Sequence, residues 1–208
     1  MVVFGNANRT YLPFLRKESF LDSLLAELGN NQPPNDNGQE VIDEINSLDR
    51  LTESIAANEE LQKRYFIYDD GLEEYLITVL SNIGVDARSV VRDLYEDIMP
   101  LIAKLKYSFQ RIRPTQLALL LQLKLYPFQS TTADSPSYPS AHVVKSVVYC
   151  HILGSMFPVH YKRLMEFAND VCDSRPYLGV NYQSDCEFGR YVADLIINHP
   201  EFKKKYKL

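Results

Sequence analysis

No run of apolar residues in this chain reaches the roughly 18 that a membrane-spanning helix needs, although 46% of its 208 residues are hydrophobic. Neither sign of charge is in large surplus. The 22 Lys and Arg stand against 27 Asp and Glu, a net of -5. That mildly acidic balance argues against a nucleic-acid binder, whose affinity comes from neutralising phosphates. Only three cysteines are present, Cys150, Cys172 and Cys186, an odd number without metal-ligand spacing. They point to buried, reduced thiols and a reducing compartment. The N-terminus, Met1-Val-Val-Phe-Gly-Asn6, lacks a charged region followed by an apolar one. No secretory signal is therefore expected, and the chain is assigned to the cytoplasm, a processed secreted or periplasmic form being also compatible. Internal repeats are missing too.

What is there suits one domain, or one domain with an arm, large enough to bury a core without staples. The first 16 residues read as irregular around Pro13. Leu21, Leu24, Leu25 and Leu28 share one face of a helix over 19–28. Residues 29–38, rich in Asn, Pro and Asp, form the clearest linker. Ile42, Ile45, Leu48, Leu51 and Ile55 stripe a long helix from about 40 to 65. Asp69-Asp70-Gly71 reads as a turn, and the acids around it (Asp69, Asp70, Glu73, Glu74) as solvated caps rather than a metal site. A short helix over 73–80 ends near Gly84, and Asp86 or Ser89 caps the next. Pro100 and Pro114 are expected to break helices. Residues 117–125 read as a buried Leu-rich helix, and 126–140 as an exposed loop. Helices over 141–156, 159–173 and 182–198 follow, and the basic tail Lys203-Lys204-Lys205-Tyr206-Lys207 reads as a frayed, solvated end. The fold class is all-α.

Three stretches carry chemistry. In the first, Lys106 and Arg113 are seven residues apart on one expected helix, and seven steps of about 100° put them on one face. Such a pair can be plain surface charge, or it can hold phosphoryl oxygens, Arg as a planar fork and Lys as a point charge. Arg111 lies between them in sequence and is expected to point elsewhere. In the second, Pro139-Ser140-Ala141-His142 stands where a loop enters a helix, and free N–H groups there make an anion seat. Without further context a His at a helix start is more often structural. The third is Ser174-Arg175, then Gly179, Asn181 and Asp185, the last two sharing a helix face.

In this order the three stretches resemble the signatures of the phosphatidic-acid-phosphatase type 2 and vanadium-haloperoxidase superfamily, most closely its soluble class A acid phosphatases. The family pattern is Lys-x6-Arg-Pro, Pro-Ser-Gly-His, and Ser-Arg-x5-His-x3-Asp. The resemblance covers about residues 100–197, and the separations fit: 24 residues lie between Pro114 and Pro139, and 31 between His142 and Ser174. Ala141 stands for the Gly, and Asn181 for the His. The resemblance implies a helical bundle of the acid-phosphatase type, assigned to 66–208, and residues 1–65, which carry no motif, are read as an N-terminal helical arm. It also implies a phosphate-binding set of Lys106, Arg113, Ser140, Ala141 and Arg175. His142 carries over as the general acid, Asn181 as the nucleophile position and Asp185 as the group that orients it. No cofactor or metal is implied. The partner is a phosphorylated small molecule or free phosphate, with self-association as in many soluble relatives.

An amide cannot replace an imidazole nucleophile, because its nitrogen lone pair is delocalised. The leading expectation is a phosphoric-monoester hydrolase site that binds phosphate and turns over little. The alternative is a pseudoenzyme serving as a phosphate-ligand sensor or interaction module. Vanadate-dependent halide oxidation is a third reading, disfavoured by chain length and by the missing His.

Overall fold

The computed structural model describes residues 10–208, and among them there are ten α-helices and no strand. They are α1 (Leu12–Leu15), α2 (Leu25–Leu28), α3 (Gln39–Ile55), α4 (Glu59–Ser81), α5 (Arg88–Phe109), α6 (Pro114–Leu120), α7 (Ala141–Met156), α8 (Tyr161–Tyr177), α9 (Gln183–Asn198) and α10 (Pro200–Tyr206). The all-α expectation holds. Part of the irregular N-terminal stretch, residues 1–9, lies outside the described residues.

Helix α7 is the axis. Val143, Val144, Val148, Tyr149, Ile152 and Leu153 are all fully buried. A helix apolar on nearly every side must be packed from several sides, and α5, α8 and α9 surround it. Leu94, Ile98, Leu101, Ile102 and Leu105 supply the facing stripe of α5. The N-terminal end of α7 sits tight against α9 because Gly189 has no side chain. A Cβ there would lie 3.1 Å from the Ser140 carbonyl oxygen.

Several boundaries differ from the sequence reading, each for a local reason. The long helix over 40–65 is two, because Asn58 Oδ1 caps α4 by accepting from the Leu61 N–H at 3.0 Å. Asp69-Asp70-Gly71 is no turn. It lies inside α4, which only kinks at Gly71 (φ -141°, ψ 42°). Pro100 likewise sits within α5. A proline there frees the carbonyl four residues back, and Lys17 Nζ reaches that Glu96 carbonyl at 3.3 Å. Helix α6 stops at Leu120, with Leu119 80% exposed, so the Leu-rich run is not a buried helix throughout. Of the loop expected to be exposed, residues 135–140 are buried.

The basic tail is a docked helix. Phe202 is fully buried against the main core, and Tyr206 Oη donates to Asp97 at 2.7 Å. Phe202→Ala should therefore cost about 3–5 kcal/mol of unfolding free energy in a denaturant titration. A frayed tail would show no change.

Candidate phosphoryl-binding site

The site forms where the C-terminal end of α5, the buried loop, the first turn of α7 and the start of α9 meet. Helix α5 ends at Phe109, and Gln110 turns left-handed (φ 51°) with its N–H on the Lys106 carbonyl. Lys106 and Arg113 are thus not on one helix. Arg113 is extended (φ -65°, ψ 148°), as the residue before a proline prefers. The two cations still converge. Lys106 Nζ donates to the Pro136 carbonyl and, at 3.4 Å, to the Ser137 carbonyl. Arg113 donates to the Ser135 carbonyl at 2.7 Å, to the Val180 carbonyl at 2.8 Å and to the Pro136 carbonyl at 3.5 Å. Burial, with Arg113 and Arg175 nearby, pushes the Lys106 ammonium well below its ordinary pKa.

Ala141 is the first residue of α7. Ser140 occupies the N-cap position of that helix without a side-chain cap bond, and its own N–H is taken by the Asp185 carbonyl at 3.0 Å. His142 is buried, and its Nε2 lies 3.1 Å from the Asp69 carbonyl oxygen. A carbonyl only accepts, so in the neutral ring Nε2 carries the proton. Burial first, then the charges of Arg175 and Lys145, hold the His142 pKa well below its ordinary value.

Asn181 and Asp185 do meet. Asn181 Nδ2 donates to Asp185 Oδ2 at 3.1 Å and to the Ser137 carbonyl at 3.0 Å. Asn181 Oδ1 accepts from Arg175 Nε at 3.4 Å and from Ser140 Oγ at 3.5 Å. Asp185 is wholly buried. Its Oδ2 also accepts the Tyr182 N–H at 2.9 Å, which starts α9.

Two residues overlooked by the sequence reading complete this lattice. Arg111 does not point elsewhere. Its guanidinium is buried 3.9 Å from the Tyr182 ring centre and donates to Asp185 Oδ1 at 2.7 Å and to Glu44 of α3 at 2.9 Å. The seven-residue helical wheel misplaced it because the chain turns at Gln110. Asp69 is no solvated cap. It is 3% exposed and accepts from Arg175 Nη1 at 2.8 Å, Thr132 Oγ1 at 2.8 Å, Ser130 Oγ at 3.0 Å and the Thr131 N–H at 3.2 Å. Burial works to raise its carboxyl, and the Arg175 charge with these hydrogen bonds outweighs it, leaving the pKa below the ordinary carboxylate value. Neither Arg111 nor Asp69 stands in a motif, and only the long-range pairing identifies them.

A cavity of about 160 Å³ opens onto Lys106, Arg113, Ala141, His142 and Asn181, with Asp69, Glu73 and Lys145 on its facing wall. Ser140, Arg175 and Asp185 stand behind this lining rather than in it. The Glu73 carboxylate is held by Lys145 at 2.7 Å. Lys106 and Arg113 have no carboxylate within ion-pair distance among the described residues, although Asp70 and Asp134 also line the cavity.

Two outcomes follow from this geometry. Asp69→Ala strands the Arg175 guanidinium without its counter-ion and should lower stability by about 3–5 kcal/mol in denaturant unfolding. The second concerns pH. With its folded pKa depressed, His142 binds fewer protons in the folded state than in the unfolded chain below the ordinary value of 6.5. Stability should therefore fall as pH drops below that point, by up to about 1.4 kcal/mol per pH unit. His142→Gln should flatten this slope in unfolding titrations at successive pH values.

No curated protein matches the chain. A family model described as PAP2 superfamily matches residues 87–199, more than half of the sequence, and spans α5 through α9, while the α4 and N-terminal residues of the cavity lie outside the match. The chain belongs to the PAP2 superfamily.

Proposed function

We propose that the cavity at the start of α7 binds the phosphoryl group of a small phosphomonoester, or free phosphate, in the manner of class A acid phosphatases. The observation that carries the reading is the convergence of Lys106, Arg113, His142 and Asn181 from four separate segments onto one small cavity. Lys106 and Arg113 face it without carboxylate partners and would take the phosphoryl oxygens, whose charge in turn returns Lys106 to its ammonium form. The same anion raises the pKa of His142, which then protonates the leaving oxygen.

In the full reaction an imidazole at position 181 attacks phosphorus, the ester oxygen leaves with the proton from His142, and water hydrolyses the phosphohistidine. Asn181 cannot form that bond. This chain is therefore a phosphate binder with little turnover. Asp185 stays in place to accept an N–H from position 181, now from the amide at 3.1 Å.

A second reading, a pseudoenzyme whose pocket senses a phosphorylated ligand, draws on two contacts. Arg111 and Glu44 tie Asp185 to α3, and Asp69 holds Arg175 behind the cavity wall. One pair of proteins separates the two. Asn181→His should hydrolyse an aryl phosphate at least about a thousandfold faster than the chain with Asn181. The original chain should bind phosphate in the millimolar range by calorimetry. Binding without rescued turnover favours the sensor. No binding at all removes the phosphoryl site from both readings.

A further inference from the structure

The other end of α7 carries a surface that the phosphoryl site does not use. Helix α7 closes at Met156, and a short 3-10 turn, Pro158–His160, leads into α8. On this turn Val159 is 86% exposed, Met156 49% and Tyr161 38%. The turn is firmly held. Tyr161 lies on Gly154, where a Cβ would sit 2.5 Å from its ring, and its hydroxyl is 3.1 Å from His151 Nδ1. The apolar tip is thus presented by a fixed backbone.

Cations ring the tip. From Met156 to Arg163 the sequence has no Asp or Glu and ends His160-Tyr161-Lys162-Arg163. The Lys162 side chain is 91% exposed, its nearest carboxylate being Glu166 at 3.9 Å. On one flank, His160 and Arg163 border an apolar recess that includes the exposed Ile83. On the other, Lys203 and Lys207 of the C-terminal segment share a groove with Ser155, Met165 and Arg190, and Asp194 is its acidic side chain among the described residues. A chain of net charge -5 has therefore gathered cations around exposed Val, Met, Tyr and Ile at one end.

We propose that this end, centred on Val159, is a contact surface for a bilayer containing anionic lipid. Val159 and Met156 enter the interfacial region, Tyr161 sits at headgroup level, and Lys162, Arg163, Lys203 and Lys207 meet the lipid phosphates and carboxylates. The acidic remainder of the protein is repelled from the same surface, which fixes the orientation. The 16 residues of α7 place the phosphoryl cavity about 24 Å away at its opposite end. A protein docked this way holds the cavity toward water, so the bilayer is an anchor and not the source of the substrate. The proposal stands independently of phosphate binding.

Vesicle co-sedimentation tests it. The purified chain should pellet with phosphatidylcholine vesicles containing about one third phosphatidylserine and stay in solution with phosphatidylcholine alone. Val159→Asp, and separately Lys162→Glu with Arg163→Glu, should each weaken vesicle binding about tenfold. All three side chains are exposed, so thermal unfolding should be unchanged. Raising salt to about 0.5 M should release the bound protein. Failure to bind anionic vesicles, or equal binding by Val159→Asp, overturns the proposal. So does a homodimer, seen by sedimentation velocity, that Val159→Asp dissociates while the parent chain ignores vesicles. That result would make the tip an interface between copies.

Discussion

The buried carboxylate of Asp185 is the contact on which the geometry of the site depends. It is 0% exposed and accepts from Arg111, Ser137, Asn181 and the Tyr182 N–H. A carboxylate this deep is tolerable only with its charge and lone pairs satisfied. The satisfying groups come from three pieces of chain: the segment after α5, the buried loop, and the approach to α9, which supplies both Asn181 and Tyr182. Through its backbone carbonyl the same residue also holds Ser140, at the N-cap position of α7. One residue thus ties together the segment after α5, the buried loop, the start of α7 and the start of α9. Through Arg111 it reaches Glu44, whose carboxylate also takes the Ser184 N–H at 2.7 Å, so α3 braces α9 from outside.

The cavity inherits its electrostatic character from this arrangement. Asp185 is matched to Arg111, Asp69 to Arg175 and Glu73 to Lys145. Among the described residues Lys106 and Arg113 have neutral hydrogen-bond partners, backbone carbonyls and, for Arg113, the Ser135 hydroxyl. Burial of these two without counter-ions is costly, and the depressed pKa of each reports that cost. An anion in the cavity would relieve it. The acidic whole-chain balance conceals this, because charge summed over 208 residues says nothing about which charges are paired.

Much of the fold was legible, since amphipathic period survives tertiary packing. The limits of α7 follow from Ser140 and the apolar run after it, and α9 begins one residue from the expected start. Prolines misled. Pro100 is a helix breaker only where the freed carbonyl lacks a partner, and that partner is Lys17, 79 residues away in sequence. The motif residues were legible by spacing, yet the reason given for Lys106 and Arg113 was wrong. They meet through a left-handed turn at Gln110 and shared carbonyl acceptors, not by standing on one helix face. Asp69 and Arg111 were beyond reach. Their roles exist only in pairs separated by 106 and 74 positions.

The amide at position 181 fits this lattice closely. An amide offers two donors and two lone pairs. All four are engaged, by Ser137, Asp185, Arg175 and Ser140. An imidazole has two ring nitrogens. With one directed to Asp185 and the other to the cavity, it would leave the Ser137 carbonyl and Arg175 Nε to find other partners. The surroundings therefore favour Asn181 as a structural residue while keeping the cations and His142 around it. Binding and turnover place different demands on position 181, and an amide with all four hydrogen-bonding sites engaged serves neither as a nucleophile nor as a proton carrier.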